Sequence, residues 1–112
     1  MTKPVTRTYS RYSRDAAELM GKLIRLRRTE RKLTAQDLAD RAGISRGLLQ
    51  RIEKGDLKCE IGAVFEVATI VGIKLFEADS PALTHHIERV DDKLALLPKY
   101  VRKREKKVED DF

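Results

Sequence analysis

The chain has 112 residues, 41% of them hydrophobic and none of them Trp, which is enough for one small, largely aliphatic domain with extensions. No apolar run approaches the length that spans a bilayer, no signal-type segment follows Met1, and a lone Cys59 excludes an internal disulfide, so the expected setting is the reducing cytoplasm. The net charge of +6 is concentrated in residues 1–33, which hold ten Lys/Arg against three acids, whereas residues 34–112 hold 14 against 15; such an excess suits a polyanion bound by counterion release, or simply a soluble basic surface.

Residues 1–14, MTKPVTRTYSRYSR, are basic, rich in Ser and Thr and without helical periodicity, and are expected to form a mobile arm. A first helix is expected from about Asp15 to Arg31, with Leu19, Met20, Leu23, Ile24 and the stem of Arg27 facing inward. Lys32-Leu33 turns the corner. Thr34 is then an N-cap, with Asp37 as its capping-box partner, and Leu38, Ala39 and Ala42 give the second helix its inner face. Gly43 supplies the turn, where a residue without a Cβ takes positive φ at little cost. Ser45 caps a third helix whose buried side is Leu49 and Ile52.

That spacing is the pattern of a helix-turn-helix, in which the third helix of this chain would lie in a DNA major groove; the plainer alternative is an ordinary helical hairpin. On the exposed face of this helix, Arg46, Gln50 and Arg51 are placed to meet base edges, and Gly47 permits close approach. Arg matches guanine O6/N7 and Gln matches adenine N6/N7. Leu48 either touches a thymine methyl or is simply exposed.

A fourth helix is expected over about Ile61–Val71, with Ile61, Val64, Phe65, Ala68 and Val71 as its stripe and Gly72 following its end. Ile73-Lys74-Leu75-Phe76 reads as extended. Ser80 as cap and Pro81 in the first turn open a further helix. Its apolar residues Leu83, Ile87, Val90, Leu94 and Leu97 are spaced 4, 3, 4, 3, an a/d seam suited to docking on its own domain or on a twin chain. Pro98 ends it. His85 and His86 are adjacent, point about 100° apart and read as surface residues. From Lys99 the tail is dense in mixed charge and is expected to be disordered alone, with Val101, Val108 and Phe112 as its only anchors for a partner. The expected division is therefore an arm 1–14, a DNA-binding domain 15–78, an amphipathic helix 79–98 and a charged tail 99–112.

The stretch from Gly21 to Phe76, GKLIRLRRTERKLTAQDLADRAGISRGLLQRIEKG with a helix and GIKLF after it, resembles the Cro/repressor-like (XRE-type) helix-turn-helix family. The resemblance implies an all-α, five-helix domain, with the arm before it and the tail behind it, that binds palindromic operator DNA as a homodimer. It also implies an ion pair between Arg28 and Glu53, which fall where that family joins its first helix to the end of the recognition helix. Two positions depart from the family. Ala35 stands where a phosphate-binding Gln is usual, with Gln36 one step later, and Lys32 stands where Gly is often found. Thr34, Gln36 and Ser45 are the expected phosphate contacts, with the helix N-termini beside them.

The segment running from GIKLFEAD through DKLALLPKYVRKREKKVEDDF resembles small HipB-like antitoxins, which accompany HipA-like kinase toxins. That resemblance implies an antitoxin and autorepressor with a co-encoded kinase as partner; a stand-alone phage or chromosomal repressor and a non-DNA-binding adaptor are the alternatives. The chain contains no Gly-rich phosphate loop, metal-ligand cluster or Ser/His/Asp grouping of recognisable spacing, so no enzyme activity, catalytic residue, cofactor or metal is expected.

Overall fold

A computed structural model describes residues 7–101 and 103. It contains five α-helices: α1 (Arg11–Glu30), α2 (Ala35–Ala42), α3 (Arg46–Glu53), α4 (Ile61–Ile70) and α5 (Ser80–Ala95), with a short 3-10 turn at Leu75–Glu77. No strand occurs among the described residues. The chain divides into two compact units, Met1–Glu77 and Ala78–Phe112.

In the first unit, α1 to α4 enclose a core of Ile24, Leu38, Ala39, Leu49, Ile52, Val67, Ala68 and Val71. Burying each of the larger aliphatic side chains stabilises the fold by roughly 1.5–3 kcal/mol. α1 begins four residues earlier than the sequence suggested. The Ser10 hydroxyl accepts from the Ser13 N–H at 3.2 Å, a cap that draws residues 11–14 into the helix and out of the expected arm. Residues 1–6 lie outside the described residues. The inner face of α1 differs in part: Ile24 is buried and Met20 packs on the core as expected, and Gly21 joins them, whereas Leu19 is 59% exposed and Arg27 is exposed.

Gly21 sets that rotation. A Cβ there would lie 2.5 Å from the Ile52 carbonyl oxygen and 2.7 Å from that of Glu53, so α1 crosses the end of α3 with no room for a side chain. Gly55 completes the crossing, with its Cβ position 3.0 Å from the Glu18 Cα. A helical glycine carries no periodic signal, so the role of Gly21 is not legible in the sequence.

Helices α1 to α4 all end in the same way. A residue of positive φ donates its N–H three residues back, and the next N–H reaches five residues back: Lys32 to Thr29 and Leu33 to Arg28, Gly43 to Asp40 and Ile44 to Ala39, Gly55 to Ile52 and Asp56 to Arg51, Gly72 to Thr69 and Ile73 to Ala68. These paired bonds satisfy carbonyls that a helix end leaves open. Three of the four turning residues are Gly; the fourth, Lys32, holds φ 58° with a Cβ. At the last of these ends the Arg31 guanidinium donates to the Ile70 carbonyl at 3.0 Å, placing positive charge on the C-terminus of α4.

α4 buries Val67 and Ala68, with Val64 half-buried, and leaves Ile61 68% exposed. Of the expected stripe, Ala68 and Val71 are buried and Val64 and Phe65 half-buried, but Val67 takes the buried place expected of Ile61, because IGAVFEVATIV is apolar on nearly every side. After it, Ile73 and Leu75 pack on the core while Phe76 and Glu77 curl at φ 56° and 53°. No neighbouring strand exists there to pair with, so the extended reading gives way to a turn.

In the second unit α5 is capped by Asp79, whose carboxylate accepts from the Ala82 N–H at 3.0 Å, so Ser80 is the first helical residue rather than the cap. α5 stops at Ala95, short of Pro98. Along its seam Leu83 is half-buried, but Ile87, Val90, Leu94 and Leu97 are 60%, 54%, 60% and 62% exposed. The described part of this unit has no second helix to cover them. No helix of the described residues is long and apolar enough to cross a membrane.

Two substitutions test this frame. Lys32→Gly removes a left-handed Cβ and is expected to raise stability by about 1 kcal/mol, seen as a melting temperature higher by roughly 4–8 °C. Gly21→Ala is expected to lower stability by about 1–3 kcal/mol or more, because backbone carbonyls rather than a flexible side chain must move; chemical denaturation measures it.

Candidate nucleic-acid interface

α2 and α3 are joined by Gly43, Ile44 and Ser45, and both helices begin on hydroxyl caps. The Thr34 hydroxyl accepts from the Asp37 N–H at 3.0 Å while the Asp37 carboxylate accepts from the Thr34 N–H at 3.1 Å. The Thr34 N–H and side chain hold the Asp37 carboxyl below its usual range. The Ser45 hydroxyl accepts from the Leu48 N–H at 3.0 Å. Both hydroxyls are spent as acceptors, yet each keeps a proton to donate, and both residues are exposed at the helix starts. Gln36 is exposed as well, but its amide donates to the Asp40 carboxylate at 2.8 Å, one turn on. Ala35 packs against the core.

α3 is amphipathic in a single turn-by-turn alternation. Leu49 and Ile52 are buried and Leu48 is half-buried against the core, which removes Leu48 as a freely exposed residue. Arg46, Gly47, Gln50 and Arg51 are all exposed. Arg46 enters no ion pair among the described residues. Arg51 does: its Nε lies 2.8 Å from the Asp56 carboxylate, with the two side chains 52% and 32% exposed. That guanidinium, followed by the Lys58 backbone N–H, holds the Asp56 carboxyl below its usual range. Lys54 follows Gln50 by one turn and continues the row Arg46, Gln50, Lys54; the i, i+4, i+8 spacing makes it readable from sequence, where it was passed over.

Gly47 has no structural occupation. Nothing lies within 4 Å of the position its Cβ would take, and its φ is not in the left-handed region. Gly in a helix costs roughly 0.5–1 kcal/mol relative to Ala, so the fold alone does not account for it.

What holds α3 in place is Arg28. Its Nε and Nη2 donate to the two carboxylate oxygens of Glu53 at 2.7 and 3.0 Å, and Nη1 donates to the Leu33 carbonyl at 3.0 Å. The two side chains are 15% and 10% exposed. Cys59 is half-buried against the core, and burial pushes its thiol up, away from the reactive thiolate. Of the tail anchors, Val101 is exposed, and Val108 and Phe112 lie outside the described residues.

A family model described as a helix-turn-helix domain matches residues 19–75, half of the chain and all of α2 to α4. No curated protein matches the chain.

Glu53→Ala should strand the Arg28 guanidinium at this junction. The expected loss is about 2–4 kcal/mol, above the value of an exposed pair and near that of a buried one. A melting scan that moves by less than a degree would contradict it.

Proposed function

We propose that this chain, which belongs to the helix-turn-helix family of the XRE/Cro-like type, is a sequence-specific DNA-binding transcriptional regulator that acts in the cytoplasm as a homodimer on a palindromic operator. The observation that carries this reading is the outward face of α3. Arg46 and Gln50 stand one turn apart with no ion pair to the Arg46 guanidinium among the described residues, and between them Gly47 leaves a gap that the fold does not need. A bare helix surface flanked by guanidinium and amide donors fits a groove edge, where Arg pairs with guanine and Gln with adenine. Arg51 joins them only when it leaves Asp56. The hydroxyls of Thr34 and Ser45 and the N-termini of α2 and α3 serve the phosphates, with Gln36 contributing when Asp40 releases it.

Within that reading the protein is the antitoxin and autorepressor of an operon that also encodes a HipA-like kinase. The wording of its C-terminal segment and the exposed α5 seam support this role, with Val101, Val108 and Phe112 as the tail's contacts to the kinase. Deleting residues 99–112 is expected to leave operator binding nearly unchanged and to abolish capture of the kinase in a pull-down; the opposite result would assign the tail to DNA.

Gly47→Ala separates fold from function. It should raise the melting temperature by a few degrees, since Ala is the better helix former by roughly 0.5–1 kcal/mol, while lowering operator affinity in a gel shift. Arg46→Ala should cost about 1–3 kcal/mol of binding and relax preference at one base position. Arg51→Ala should cost less than Arg46→Ala, because Asp56 already holds that side chain. Unchanged binding in all three variants would remove α3 as the reader.

A further inference from the structure

α1 carries a second apolar stripe that the domain core does not use. Tyr12, Ala16, Leu19, Leu23 and Leu26 follow one another at intervals of 4, 3, 4, 3, on the side of the helix away from Gly21 and Ile24. Tyr12, Leu19 and Leu26 are 84%, 59% and 53% exposed, and Leu23 is half-buried. A helix that is apolar on two faces needs two partners, and the described residues of the first unit supply only one of them.

We propose that the second partner is the same stripe of a second copy, laid antiparallel across a two-fold axis. This names the interface of the homodimer in the reading above, and rests only on the dimeric part of it. In the antiparallel register Ala16 faces Leu19 and Tyr12 faces Leu23 of the twin helix, small against large at the first layer, while Leu26 reaches past the start of the twin helix. Because the operation is two-fold, each contact occurs twice. The same register brings Asp15 beside Lys22 of the twin, again twice, so the flanks of the seam are self-complementary. A parallel arrangement would instead set Lys22 against Arg27 on both sides. Charge therefore selects the antiparallel pair. Both residues are free to turn. Asp15 sits 3.8 Å from Arg11, Lys22 sits 2.8 Å from Glu18, and all four side chains are more than half exposed, a setting in which ion pairs are weakly held.

The seam runs about 21 Å, from Tyr12 to Leu26 at 1.5 Å per residue. One helix pair of that length buries less than the roughly 1,200–2,000 Å² of a standard stable interface. The dimer should therefore be weak, forming in the micromolar range.

Sedimentation equilibrium on the full chain across that range tests the assignment. The unsubstituted protein is expected to dimerise. Leu19→Asp should weaken the dimer at least about tenfold, with the circular-dichroism melt recorded below the dimerisation range unchanged, since the residue is exposed. Asp15→Lys should weaken it about as much, and Asp15→Lys combined with Lys22→Asp should restore it to within a few-fold of the parent. A monomer at every concentration, a dimer indifferent to Leu19→Asp, or a double swap no better than the single would each overturn the interface. So would a monomer whose melting temperature falls with Leu19→Asp, which would mean that α5 of the same chain covers the stripe. A gel shift on the same samples separates the two readings. Persistent DNA binding by a dimer that ignores Leu19→Asp removes this interface and keeps the regulator. Dimerisation through α1 without DNA binding does the reverse.

Discussion

Arg28 lies where the first helix, the corner into the second and the end of the third converge, and three of its donors tie the first helix to the other two. Two reach Glu53 in a fork and one reaches the Leu33 carbonyl. An ammonium on a flexible stem could meet the carboxylate but could not hold the carbonyl in the same plane. The angle at which α3 is presented depends on this junction, because α3 is only Arg46–Glu53 and its last residue is the one held. Gly21 acts at the same crossing, letting the α1 backbone lie against the carbonyls of Ile52 and Glu53. Attraction through a guanidinium and contact through a missing side chain thus fix one helix end from two directions.

The four repeated helix endings extend the same economy through the domain. Each closes with one residue of positive φ and two backbone bonds, and at three of them the following residue, Leu33, Ile44 or Ile73, is half-buried. The fourth follower is Asp56, and there the chain uses charge instead: the carboxylate takes the Arg51 guanidinium and the Lys58 N–H. That choice has a functional cost, since Arg51 stands on the face that would read DNA. The candidate interface consequently has an unequal pair of arginines: among the described residues Arg46 enters no ion pair, whereas Arg51 is held by Asp56.

Polar groups on the candidate interface serve the fold before they serve a ligand. Thr34 and Ser45 cap their helices and still have a hydroxyl proton to give. Gln36 is engaged by Asp40. Gly47 is the contrary case, a residue that weakens its helix although the space its Cβ would fill is open. A locally unfavourable residue without a compensating packing role marks a place where something other than folding selects the side chain.

The sequence by itself determined the local events: the hydroxyl caps at Thr34 and Ser45, the left-handed Gly43, the buried Leu38, Leu49 and Ile52, and the outward set Arg46, Gly47, Gln50 and Arg51. Each depends on residues within about one helical turn, where spacing and backbone preference suffice. The Arg28–Glu53 pair was legible only through resemblance, because 25 residues separate its partners. Tertiary structure alone decided the rotation of α1, the place of Val67 in the core face of α4 and the turn at Leu75–Glu77. In α1 two apolar rows compete, and a glycine with no periodic signal chooses between them. In α4 nearly every side is apolar, so only the shape of the neighbouring helices selects Val67 over Ile61. Between Ile73 and Phe76 an alternating pattern met no strand to pair with, and packing on the core curled it into a turn.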